Sequence, residues 1–130
     1  MGQPAAKLGD NVQGIDVHIV VIPSPGGPIP TPLPHPFNGT ITSGTSSNVM
    51  VEGKPAATVD SVAMNIPPHI PQGGPFQKPP SNQGKVILGS TTVMISGKPA
   101  ARAGDTVQTC NDPVDAPTGT VICGSKVLIS

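Results

Sequence analysis

The sequence predicts an all-β domain made of three copies of one short hairpin unit, and three observations carry that expectation. Valine and isoleucine account for 25 of the 130 residues against four leucines, and branched Cβ atoms suit a pleated strand while losing rotamers in a helix. A segment recurs almost unchanged, since Val49-Met50-Val51-Glu52-Gly53-Lys54-Pro55-Ala56-Ala57 matches Val93-Met94-Ile95-Ser96-Gly97-Lys98-Pro99-Ala100-Ala101 at seven of nine positions. The chain also holds 18 prolines and 16 glycines, which interrupt helices and set turns. With two phenylalanines, Phe37 and Phe76, and no Trp or Tyr, a core of large side chains is excluded. Small branched residues must fill the interior.

The elements follow in order around the repeat. A third copy is divided between the termini: the chain opens with Pro4-Ala5-Ala6-Lys7-Leu8-Gly9-Asp10, and Val121-Ile122-Cys123-Gly124-Ser125 near its end resembles Val86-Ile87-Leu88-Gly89-Ser90. The repeat is therefore circularly permuted. Each copy reads as a short strand, a Gly-Ser or Gly-Thr turn, a second alternating strand, then Gly-Lys-Pro-Ala-Ala and a polar turn. A lone hairpin cannot bury its apolar face, so three are expected to pack around a common axis as a single domain over residues 1–130, with the termini brought together. Between the copies lie two proline-rich arcs, about 23–36 with seven prolines and about 67–80 with six. Alone they resemble ligands for polyproline-binding grooves, the pattern of an adaptor. Their placement at the same point of successive repeats instead predicts rigid loops of the fold.

Seven basic residues balance seven acidic ones, and no cluster of Lys or Arg is present to neutralise phosphates, so nucleic acid is excluded as a partner. No run reaches the length of a membrane span, and the start has no apolar stretch of signal-peptide length. A cytoplasmic beginning is expected.

Metal-ligating residues off the strands are His18, His35, His69 and Cys110, and their register is informative. His18 follows Pro4 by fourteen residues, His69 follows Pro55 by fourteen, and Cys110 follows Pro99 by eleven. Threefold packing carries these three toward one end of the axis. His35, in the first proline arc, completes a tetrahedral set of three nitrogens and one sulfur, the closed coordination of a structural zinc site. A zinc-dependent hydrolase would keep a position open for water. Asp16, Asp112 and Asp115 are available to pair with a histidine, but no nucleophile elbow, phosphate loop or dinucleotide fingerprint is present, so no enzymatic activity is expected. Cys123 takes the place of Leu88 in an apolar strand and is expected in the core rather than in a disulfide with Cys110.

These residues resemble the PAAR family through the tetrad Pro99-Ala100-Ala101-Arg102, with Pro4-Ala5-Ala6-Lys7 and Pro55-Ala56-Ala57-Thr58 as degenerate copies. In the second copy Val59-Asp60 stands against the Gly-Asp that follows the other two. The resemblance implies a small β-rich cone with one zinc ion near its tip, held at the motif positions of His18, His69 and Cys110 together with His35. It also implies a place on the trimeric β-helical spike of a contractile injection machine, of the type VI secretion or phage-tail-like kind. One chain would cap each spike trimer, sharpen it for transient membrane piercing, and leave the cell on the apparatus without a signal peptide. Any effector cargo is expected as a separate protein.

Overall fold

The computed structural model describes residues 2–130. Among the described residues the elements are all strands: β1 (Gln3–Pro4), β2 (Asn11–Ile22), β3 (Ile29–Ser43), β4 (Met50–Val51), β5 (Lys54–Pro55), β6 (Val62–Asn65), β7 (Gln83–Val86), β8 (Met94–Ile95), β9 (Lys98–Pro99), β10 (Thr106–Thr109), β11 (Ala116–Ile122) and β12 (Leu128–Ile129). Six of them close into an antiparallel barrel in the order β10-β11-β2-β3-β6-β7, with β7 returning to β10. Closure pairs every barrel strand on both sides. The other six form three two-residue ladders, β1 with β12, β4 with β5 and β8 with β9.

The three ladders are the repeat made visible, and they define the end of the molecule we call the base. Two turn through Glu52-Gly53 and Ser96-Gly97, where all four residues have positive φ (51°, 82°, 52° and 83°), the left-handed pair of a tight hairpin. The third is made by the two ends of the chain. The Gly-Ser and Gly-Thr segments expected to be turns do a different job. Ser46 and Ser90 each accept hydrogen bonds on Oγ from the backbone two and three residues ahead, and each hydroxyl also reaches the neighbouring repeat, at Ser96 and Ser130.

Along the axis the copies interlock through their main chains. Ala6 N–H donates to the Ala101 carbonyl, Ala101 to Ala57 and Ala57 to Ala6, at 3.0, 3.0 and 2.9 Å, a closed ring of three hydrogen bonds. Only methyl side chains fit so near the axis, and Ala5, Ala6, Ala56, Ala57, Ala100 and Ala101 are all buried. Above this ring lie Ile41, Val86 and Val121, then Val12, Ala63 and Val107; below it lie Val51, Ile95 and Ile129. The tetrad's last residue turns back on the next turn: Lys7 N–H and Arg102 N–H donate to Asp10 and Asp105. In the middle copy Thr58 N–H donates to Ser61 Oγ at 2.9 Å. The register is therefore one residue on from the match of Val59-Asp60 to Gly-Asp, and it is the one that counting from each proline gives. Asp60, with φ 79°, stands where the others have Gly9 and Gly104 (φ 92° and 88°), and Ser61 stands where they have aspartate.

Threefold likeness ends at a layer of three glycines, Gly39, Gly84 and Gly119: the first two make room for one ring, Phe37, and the third for Val107 and Thr109. A Cβ on Gly39 would lie 2.6 Å from that ring, and one on Gly84 3.3 Å. The β2–β3 hairpin is paired through twelve positions from Asn11↔Thr40 to Ile22↔Ile29, and the eight from Ile15↔Pro36 onward run past the plug and out of the barrel. The first proline arc is here a strand and not a loop, since Pro30, Pro32, Pro34 and Pro36 all lie in β3. Spacing makes this possible. Val17, Ile19 and Val21 turn their N–H groups away from β3, toward Asn111, Asp112 and Pro75, so the ladder to β3 runs through alternate residues such as His18↔Leu33 and Val20↔Thr31. The four prolines fall on the intervening positions and set their nitrogens on the free edge, where no donor is needed. The second arc, 67–80, is irregular apart from the bridge Val20↔Phe76.

Candidate metal centre

Strand alternation brings the cluster together above the Phe37 plug. Asp16 and His18 are two apart on β2 and so point to one side, and Asp16 pairs with His35 across the ladder. Cys110 follows the last residue of β10, and His69 enters from the second arc. The side chains of Asp16, His18 and His69 are 0, 1 and 2 % exposed, and Cys110 is buried. One donor atom from each of Asp16, His18, His69 and Cys110 lies within 4.8 Å of the other three. Cys110 Sγ is 3.6 Å from His18 Nε2 and 3.4 Å from Asp16 Oδ2, and His69 Nε2 is 2.8 Å from Asp16 Oδ2.

Three of the four sequence-predicted ligands, His18, His69 and Cys110, are therefore brought to one point. His35 is also buried, with its ring centre 5.5 Å from those of both His18 and His69. Its Nδ1 donates to the Leu33 carbonyl at 2.9 Å, so Nε2 is the ring nitrogen left for a ligand bond. Sequence reasoning offered Asp16, Asp112 and Asp115 as partners for a histidine but not as members of the donor cluster; Asp16 does pair with His69. The available signal was alternation, which puts Asp16 on the face of His18. Asp112 lies 3.6 Å from His18 Nδ1, a buried nitrogen with no hydrogen-bond partner. Asp115 is exposed and lines a cavity of about 150 Å³ beside His18 and Cys110.

The donors fit a metal ion. Ligands at about 2.0 Å for nitrogen or oxygen and about 2.3 Å for sulfur in a tetrahedron stand roughly 3.3–3.6 Å apart, close to the separations around Cys110. Imidazole with thiolate is a soft to borderline set, suited to zinc and unlike the all-oxygen shells of magnesium or calcium. Burial, reinforced by the neighbouring His69, holds the His18 pKa below its ordinary value, which keeps the imidazole neutral with a lone pair to give. Burial, with Asp16 adding to it, pushes the Cys110 thiol up to about 11, so without a cation it is protonated and a poor nucleophile. The chain's two phenylalanines enclose the cluster. Phe37 lies 6.3 Å from His69, and Phe76 lies 5.7 and 5.4 Å from His18 and His35 on the opposite side. Both cysteines are free, and Cys123 packs against the barrel core.

Residues 77–130 match the family described as PAAR motif. Over that stretch the chain is similar to the PAAR family. The matched stretch holds the full tetrad at Pro99 and the ligand candidate Cys110; the copies at Pro4 and Pro55 lie outside it and join the same axial ring. No curated protein matches the chain.

Proposed function

We propose that this chain is the non-enzymatic tip of a contractile injection spike, seated by its base on the blunt end of a trimeric β-helical spike protein, one chain per trimer. The observation that carries the reading is the base itself. Met50, Met94 and Leu128 occupy equivalent places in the three ladders and are 59, 58 and 63 % exposed. Each stands next to a buried member of the base core, Val51, Ile95 or Ile129. A monomer offering three like apolar contacts matches a partner with a threefold axis, where each contact meets one subunit. The family is one of spike tips, which supports the same assignment.

One zinc ion is proposed as the staple of the opposite end, with His18, His35, His69 and Cys110 as its donors and Asp16 beside them. It would tie residues from all three repeats above the Phe37 plug, where apolar packing gives way to polar side chains. Loaded in the cytoplasm, the tip would be carried out with the spike, pierce a membrane briefly and bring separate effectors with it.

Native mass measurement of the chain mixed with its trimeric spike protein tests the docking. One chain per trimer is expected, with weak salt dependence because the contacts are apolar. Replacing Met50, Met94 and Leu128 together by Asp should abolish binding and leave the fold intact. Three chains per trimer, or unaltered binding by the triple variant, overturns the reading. Elemental analysis giving no stoichiometric zinc overturns the staple alone.

A further inference from the structure

Asp16 is wholly buried and gathers five side-chain hydrogen-bond partners beyond the plug. The Thr109 hydroxyl donates to Oδ1, and Thr118 Oγ and Asn111 Nδ2 approach the same oxygen at 3.3 and 3.4 Å. Oδ2 receives the Cys110 thiol at 3.4 Å and His69 Nε2 at 2.8 Å. A carboxylate out of water is tolerated only when its lone pairs are satisfied in this way.

The His69 partnership has a fixed direction. Asn65 Oδ1 accepts the Asn38 N–H at 2.9 Å, which orients the Asn65 amide. Its Nδ2 then faces Asn82 Oδ1 at 3.1 Å and His69 Nδ1 at 3.2 Å. His69 Nδ1 is therefore an acceptor, and the proton of the neutral ring sits on Nε2, pointed at Asp16. A continuous chain runs from Asn65 through His69 to Asp16 and on to Thr109. It joins the arc of the second repeat and the Thr109–Asn111 corner of the third to β2.

We propose that Asp16 is a positioning residue that latches the tip without metal, holding His69 and Cys110 in place so that the centre is assembled before any cation arrives. Many small metal domains fold only when the ion binds; here a buried carboxylate makes the same three-way connection from within the chain. The inference leans on the metal reading only in treating the cluster as a cation site, where His69 and Cys110 would give up the protons they share with Asp16 on binding. The latch itself is tested in metal-free protein.

The experiment uses full-length chain stripped by chelator, with ¹⁵N-labelled histidine, and reads the ring tautomers by long-range ¹H–¹⁵N correlation together with amide hydrogen exchange. The expected result is His69 as the Nε2–H tautomer. The amides of His69, Val17 and Asp112, bonded to Asn82, Asn111 and Val17, should be protected. In Asp16→Asn these three amides should exchange at least about tenfold faster while Ala6, Ala57 and Ala101 keep their protection. If Asp16→Asn does not fold, His69→Gln replaces it, and protection should then be lost at residue 69 alone among these amides. His69 as the Nδ1–H tautomer in the stripped protein, or unchanged exchange in the variant that folds, overturns the latch. Wild-type protein that takes up no zinc yet shows the expected tautomer and protection sinks the metal reading and leaves the latch standing.

Discussion

The base and the tip of this molecule are built on opposite rules from one repeat. At the base, three copies do the same thing with nearly the same residues: Ala6, Ala57 and Ala101 share a cyclic set of main-chain hydrogen bonds, and Val51, Ile95 and Ile129 fill equivalent sites. At the tip each copy contributes something different, His18 and Asp16 from a long strand, His69 from an irregular arc, Cys110 from a strand end. The contrast shows what repetition is good for. Main-chain bonds and methyl groups are indifferent to side-chain identity, so a threefold axis can be satisfied three times over. A metal-ligating cluster needs unlike donors at unequal distances, which identical copies cannot supply. Phe37 sits at the boundary, one ring against Gly39 and Gly84.

Breaking that boundary should have the largest effect. Phe37→Ala removes the plug that both halves pack on and should destabilise the chain by about 3–5 kcal/mol, read from urea unfolding. Ala57→Leu strikes the base alone. A branched side chain next to the axis must displace the other two copies, with an expected loss of about 1–3 kcal/mol and faster exchange at Ala6 and Ala101 as well as at residue 57.

Alkaline pH separates the halves more gently. Burial pushes Cys110 at the tip and Cys123 in the barrel from 9.0 to about 11. Between those values the unfolded chain has released thiol protons that the folded chain still holds. Stability of the metal-free protein should therefore be unaffected by these groups below pH 9 and fall as pH rises toward 11. Cys110→Ser and Cys123→Ser should each remove part of that fall, and equilibrium unfolding at pH 8 and pH 10.5 measures it. The smallest effect on stability, with a larger one on behaviour, is expected from restoring donors to the free edge of β3. Pro32→Thr with Pro34→Thr should leave the melting temperature within a few degrees but allow edge-to-edge pairing, seen as dimers in sedimentation. A double variant that stays monomeric at high concentration would show that the free edge is protected by something other than its prolines.

Much of the base was legible in the sequence, because its determinants are local and recur. The Pro-Ala-Ala of the repeat announces itself three times, twice as Gly-Lys-Pro-Ala-Ala, and small branched residues at alternate positions already require a β fold. The ligand types were legible too, since few residues carry imidazole or thiol. Matching Val59-Asp60 to Gly-Asp followed residue type rather than spacing, since counting six residues from each proline already sets Ser61 opposite Asp10 and Asp105. The left-handed backbone at Asp60 and the bond from Thr58 to Ser61 agree with the count.

What the sequence by itself determined is the unit, its number and its axis. Tertiary structure alone decided the closing of the barrel between β7 and β10, the incorporation of four prolines into β3, and the gathering of side chains around Asp16. The physical reason is distance along the chain. The partners of Asp16 lie 53 residues away at His69, 93 and 94 at Thr109 and Cys110, and 102 at Thr118. No periodicity of 2 or 3.6 reports contacts of that span. They exist because three hairpins, each unable to bury its own face, turn about one axis and deliver their ends to the same place.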